Sequence, residues 1–220
     1  MTRQPEPHVR RVRDVFDDWA RRGRAEGMEA SHTPFARPAF DQLPLTATSR
    51  YLDIGCGNGY TVRWAAAIAT GGRAVGIDVS PAMIERAQQR SADHANVAFH
   101  TAEFPTALLA DGSFDVIFSM EVFYYLPDLE GALDATHRLL KPGGTFACAV
   151  DFYGENVASH DWPADVGVPM RLMDAAGWRG ALVQAGFVEV TQDRLRVPAE
   201  QASESWKATE GSLLTVGRRA

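Results

Sequence analysis

From residue 50 onward, short apolar runs alternate with stretches whose apolar positions recur every three or four residues. That alternation predicts a mostly parallel sheet with helices on both faces. Tyr51-Leu52-Asp53-Ile54 reads as a short buried strand, followed by a glycine loop and a helix from about 60 to 70. Ala74 to Asp78 is a second strand, after which Ser80 suits a helix cap and Pro81 its first turn. Met83, Ile84 and Ala87 then share one helical face. Val97 to Phe99 and Phe114 to Phe118 continue the sheet. A helix is expected from Asp128, with Leu129, Ala132, Leu133, Thr136, Leu139 and Leu140 on one stripe. Lys141-Pro142-Gly143-Gly144 reads as a turn before a fifth strand, Thr145 to Asp151. Asp174 to Ala185 is a weaker helix, because Gly177 and Gly180 each cost it about 1 kcal/mol. Gly186 ends it, and Phe187 to Thr191 and Leu213 to Val216 supply two last strands.

Two regions break this rhythm. Residues 1–49 show no strand, although Val9, Val12, Phe16 and Trp19 after Pro7 form one helical face with Gly23 as its stop. Seven arginines against four acids up to Arg24 give this segment a local charge of +3, expected to be a solvated face. Residues 152–169 mix aromatic, proline and polar positions without a period.

Composition narrows the class. The chain has 220 residues, 45% hydrophobic and 23% charged, which fits one globular domain and excludes a disordered or collagen-like chain. The longest apolar run, Trp64 to Ala69, is far below the ~20 residues of a membrane-spanning helix, and Arg3, Glu6 and Arg10 argue against a secretory leader. A net charge of −6 speaks against a broad nucleic-acid grip. Two cysteines, Cys56 and Cys148, suit neither a disulfide framework nor a zinc site. The expected compartment is the cytoplasm, and the expected state a monomer or homodimer.

The strongest local feature is the loop Gly55-Cys56-Gly57-Asn58-Gly59 between the first strand and its helix. Glycines there admit backbone angles closed to other residues and a close approach by a ligand, while the helix start favours an anionic group. The second strand ends in Asp78, 19 residues after Gly59, where a carboxylate can accept both hydroxyls of a ribose. The dinucleotide fingerprint needs a glycine where Tyr60 stands, which makes a hydride-transfer cofactor less fitting. Cys56 is expected to be a small turn residue and Asp115 a structural one.

The stretches YLDIGCGNG (51–59), GIDVSPAMIERA (76–87), FDVIFSMEVFYYLPD (114–128), LLKPGG (139–144) and LVQAGF (182–187) resemble the class I S-adenosylmethionine-dependent methyltransferases, in that family's order and spacing. The small-molecule enzymes of the family are nearest in length and texture. The resemblance implies a Rossmann-like, doubly wound, mostly parallel α/β sheet of seven strands with an antiparallel C-terminal strand and helices on both faces. It implies S-adenosyl-L-methionine as cofactor, S-adenosyl-L-homocysteine as product and no required metal. Gly55, Cys56 and Gly57 would pass under the methionine part, with Asp53 near its amino group. Asp78 would hold the ribose, Val79 and Met83 would face the adenine, and Ala102, Glu103 and Phe104 would border its edge. Thr101 stands where relatives commonly carry aspartate, so Glu103 or the backbone would serve the adenine amino group. Ser119 and Met120 would flank the sulfonium.

On this reading residues 1–220 form one domain: a helical cover (1–49), a cofactor-binding core (50–151), a substrate-side insertion (152–172) and a C-terminal helix with strands (173–220). Substrate-side candidates are Tyr124 and Tyr125, the latter at a position where many relatives have histidine; no catalytic base is assigned. His32 and His160 lie in the covering segments, and Phe35, Phe40, Phe152, Tyr153 and Trp162 suggest an aromatic cover over a small, partly apolar acceptor. The expected function is methyl transfer to a small molecule. The alternatives are a nicotinamide-dependent oxidoreductase or a non-catalytic cofactor-binding protein of the same fold.

Overall fold

The computed structural model describes residues 6–220; the start of the expected cover, with Arg3, lies outside them. Two helices come first, α1 (Pro7–Arg21) and α2 (Arg24–Phe40). The core then runs β1 (Arg50–Ile54), α3 (Tyr60–Ile68), β2 (Arg73–Asp78), α4 (Pro81–Arg90), β3 (Val97–Thr101), β4 (Phe114–Met120), α5 (Leu129–Leu139) and β5 (Leu140–Val150). Short α6 (Trp162–Val166), then α7 (Ala175–Gln184), β6 (Val188–Leu195), short α8 (Ser205–Thr209) and β7 (Ser212–Arg218) complete the chain.

The seven strands form one sheet in the order β3-β2-β1-β4-β5-β7-β6. The first five are mutually parallel, and β7 runs antiparallel between β5 and β6. The expected fold class is therefore the observed one. Strand order reverses between β1 and β4, so a crevice opens at their carboxyl ends, the usual ligand position in such sheets.

Apolar burial explains the layers. One core gathers Leu52, Ile54, Ile117 and Phe146 of the sheet with Leu129 and Leu133 of α5 and Trp178 and Leu182 of α7. The other joins Tyr51, Val116 and Phe118 to Phe35 and Phe40 of α2, Val62 and Ala65 of α3 and Ile84 of α4. α1 crosses α4, where Asp17 accepts hydrogen bonds from the Ser80 hydroxyl and from the Ala82 amide at 3.1 Å.

Two elements differ from the sequence expectation. α2 was not legible, since Pro34 and Pro38 lie inside it and its polar and apolar residues show little facing preference. Tertiary links hold it: Glu29 accepts from Asn58 Nδ2 at 2.7 Å and pairs with Arg63 and Arg90. The expected turn at 141–144 lies within β5. Gly143 takes φ 78°, and the pairing with β4 jumps from Phe114–Leu140 to Val116–Thr145, so these residues form a bulge in the ladder. Among the described residues, no helix is long and apolar enough to cross a membrane.

Candidate active site

The loop after β1 is built by its hydrogen bonds. The Gly55 and Cys56 amides both donate to the Ile77 carbonyl of β2, at 2.8 and 3.0 Å, folding the chain over the neighbouring strand. Gly55 (φ 76°) and Gly59 (φ 79°) take left-handed angles that only glycine adopts cheaply. A Cβ on Gly55 would stand 2.2 Å from Val122 Cγ2, whereas one on Gly57 would meet nothing within 4 Å. The loop is thus sealed against the β4 side and open toward the crevice.

Asp78 closes the cradle. One carboxylate oxygen accepts from the Gly57 amide at 2.9 Å and the other from the Ser80 amide at 2.8 Å. Burial pushes its pKa up to about 6 even though both hydrogen bonds favour the ionised form. Asp53, at the end of β1, accepts from the Thr61 hydroxyl, and burial raises it to about 7. Neither carboxylate has an ion-pair partner among the described residues. Both therefore suit a ligand that brings its own donors or positive charge.

These groups open on a cavity of about 450 Å³, within the range of small-molecule sites. Eleven of the twelve expected cofactor residues line it: Asp53, Gly55, Cys56, Gly57, Asp78, Val79, Met83, Ala102, Glu103, Phe104 and Met120. Ser119 does not. Adjacent strand residues face opposite sides, and its hydroxyl donates 2.7 Å to the Ile54 carbonyl, bracing the end of β1. Of the substrate-side pair, Tyr125 lines the cavity, while Tyr124 turns inward and donates to Glu121 Oε2 at 2.8 Å.

The remaining candidates separate clearly. His32 lines the cavity, but His160 is exposed and bonds the Gly154 carbonyl. Phe35, Phe40, Phe152, Tyr153 and Trp162 all pack away from the cavity, and no residue of 152–172 reaches it. Its wall is made instead by Val9, Val12 and Phe16 of α1, Met28 of α2, Tyr60 and Phe118. Cys56 is buried against Gly76, and burial pushes its thiol pKa up, so it is not primed as a nucleophile. Asp115 lies outside the cavity and ties Lys141 to the Arg50 amide, each at 2.8 Å.

Linear spacing also hid one group. His32 of α2, Glu121 just past β4 and Asp151 just past β5 bring side-chain nitrogen or oxygen atoms within 4.8 Å of one another. No pair of these residues is near in sequence, so only the fold could assemble them. Glu121 sits at φ 62°, and its carboxylate receives the Tyr124 hydroxyl and the Asp151 amide. Asp151 receives the Ser212 hydroxyl. Burial, then Lys207, lowers the His32 pKa to about 4 and keeps it neutral.

Comparison with known proteins gives the family. A methyltransferase domain model matches residues 52–148. Over 93% of its length, the chain is 35% identical, with a TM-score of 0.84, to the candidate methyltransferase in a complex with the Haloferax volcanii Trm112 methyltransferase activator, of which it covers 97%. It is 38% identical over 109 residues to the 27-O-demethylrifamycin SV methyltransferase of Amycolatopsis mediterranei, covering 48% of this chain and 39% of that protein. The arsenite methyltransferase of Halobacterium salinarum is 35% identical over 141 residues, 63% of this chain and 34% of its own length. The chain thus spans well under half the length of these two curated relatives. It belongs to the class I S-adenosylmethionine-dependent methyltransferases, whose cofactor is S-adenosyl-L-methionine.

Proposed function

We propose that this protein transfers the methyl group of S-adenosyl-L-methionine to a small, largely apolar acceptor held under α1 and α2. The observation that carries the reading is the pair of buried carboxylates without ion-pair partners, Asp53 and Asp78, on either side of a glycine loop that faces one cavity. Asp78 takes the ribose hydroxyls with the oxygen lone pairs left free by the Gly57 and Ser80 amides. Asp53 takes the amino group of the methionine part, Gly55 to Gly57 run beneath it, and Met120 flanks the sulfur. Val79 and Met83 pack the adenine, whose edge meets Ala102, Glu103 and Phe104.

The cofactor supplies an activated leaving group, so the chain's task is alignment and exclusion of water. Positioning of this kind is worth several kcal/mol, up to roughly 7–11 in well-ordered cases. Val9, Val12, Phe16 and Met28 wall off the acceptor side, and their apolar character favours an acceptor with little charge. Ser119 holds the end of β1 in place through Ile54.

Calorimetry with S-adenosyl-L-homocysteine tests the reading. Saturable one-to-one binding is expected, with affinity at least tenfold weaker in Asp78→Ala. Absence of binding at millimolar ligand contradicts the proposal, and unchanged affinity in the variant removes Asp78 from it. A titration with NADH, expected to show no binding, separates the oxidoreductase alternative.

The relative solved with Trm112 favours a second reading, in which this chain also works with a protein activator. Mixing it with purified Haloferax volcanii Trm112 and measuring the mass in solution tests that: a shift to the summed mass supports an activator, and two unchanged species oppose it.

A further inference from the structure

The wall of the cavity facing the Gly55 loop carries a polar island that the cofactor's amino acid and ribose do not require. Glu121 follows Met120 at the end of β4, and its neighbour Val122 closes on Gly55. Its carboxylate is held in aim by two donors, the Tyr124 hydroxyl and the Asp151 amide. Behind it stands the Asp151 carboxylate, fixed by the Ser212 hydroxyl. Neither acid has an ion-pair partner among the described residues. Two buried carboxylates this close are stable when they share one proton or when a positive charge joins them.

We infer that the Glu121–Asp151 pair reads the charge on the cofactor's sulfur, releasing its shared proton when the cationic sulfonium binds and taking a proton back when the sulfur becomes a neutral thioether. This rests on the proposed cofactor site, in which the sulfur passes between the Gly55 loop and Met120. The groups around the pair fit the role. His32 on α2 is neutral, and Tyr60 on α3, Tyr124 and Tyr125 are held protonated by burial. Cys148 on β5 is likewise protonated. Lys207 acts on both Asp151 and His32, Glu204 opposes it at Asp151, and the two pair with each other at 3.4 Å. Burial and the mutual repulsion of the two acids raise Glu121 well above an ordinary carboxylate, and burial brings Asp151 to about 6.

The proposal closes the charge balance of the reaction. The acceptor atom bonds to the methyl carbon, the carbon–sulfur bond breaks with its electron pair staying on sulfur, and the acceptor's proton passes to the carboxylate pair. One positive charge leaves the sulfur and one proton arrives beside it, so the buried site keeps its net charge throughout. An acceptor that loses a proton on methylation, such as a hydroxyl or amine, is the class this arrangement serves.

The test needs no acceptor. Protons released on binding are counted by calorimetry at pH 7 with S-adenosyl-L-methionine and with S-adenosyl-L-homocysteine, each in phosphate and in Tris. Asp53 and Asp78 meet parts common to both ligands, so their contribution cancels in the difference. The methionine compound is expected to release more protons than the homocysteine compound, by up to about one per site. In Glu121→Gln that difference is expected to vanish, and the preference for the charged ligand to fall at least fivefold. Equal proton counts in the unaltered protein overturn the proposal, as does a difference that persists in Glu121→Gln. Binding of neither ligand would remove the cofactor site itself, a separate result that takes this inference with it.

Discussion

Asp53 and Asp78 show how two similar acids acquire different tasks from their surroundings. Asp78 is tied by two backbone amides, so its position follows from the loop it closes. Asp53 has a hydroxyl partner, Thr61, and burial leaves its pKa near neutrality, at about 7. An acid raised on folding from 3.8 holds a proton that the unfolded chain has lost. Its contribution to stability is thus present below pH 4 and is lost as pH rises toward 7. The full shift corresponds to at most about 4 kcal/mol. The ligand-free protein is expected to melt at falling temperatures between pH 5 and 7, and Asp53→Asn is expected to flatten that slope, because an amide still accepts from Thr61. Thermal melts across this range check it; an unaltered slope in the variant assigns the loss elsewhere. Asp78 was legible in the sequence from its place at a strand end, whereas Asp53 was reached through the family resemblance. Ser119 and Tyr124 were not separable from Met120 and Tyr125, because side-chain direction inside a strand or a tight turn alternates with register that the sequence leaves open.

The loop between β1 and α3 depends on close approach as much as on backbone freedom. Gly55→Ala places a methyl group into Val122 at a left-handed backbone position, and each fault is unfavourable separately. The single variant is expected to lose about 2–4 kcal/mol of stability, through overpacking and the conformational cost together. Adding Val122→Ala removes both γ carbons and leaves only the Val122 Cβ, at 3.1 Å, so it is expected to restore part of the loss, leaving mainly the ~1–2 kcal/mol backbone cost. Urea unfolding of the two variants measures this, and strict additivity would deny the contact. Strands and most helices were readable because their apolar spacing is strong. α2 was not, since its two prolines argue against a helix and its support comes from Glu29, Asn58, Arg63 and Arg90 on other elements. The β5 bulge shares the composition of a turn, Pro-Gly-Gly, and only pairing with β4 distinguishes the two.

Across the whole molecule, the reversal of strand order between β1 and β4 sets where a ligand can lie, and the helices ahead of the sheet decide what else fits there. The cavity's far wall comes from α1 and α2, not from residues 152–172, whose aromatic rings serve the core. Aromatic content in the sequence marks both uses alike, so burial against the sheet could not be told from exposure to a substrate. The His32, Glu121 and Asp151 group was hidden for a related reason: three elements distant in the chain meet only once the sheet has formed.

A crystal structure with S-adenosyl-L-homocysteine bound tests the central claim most directly. It is expected to show both ribose hydroxyls within hydrogen-bond distance of the Asp78 carboxylate, the amino group at Asp53 and the thioether sulfur beside Met120 and Glu121. A nucleoside found outside this crevice, or one lying in it with its ribose turned away from Asp78, would contradict the account.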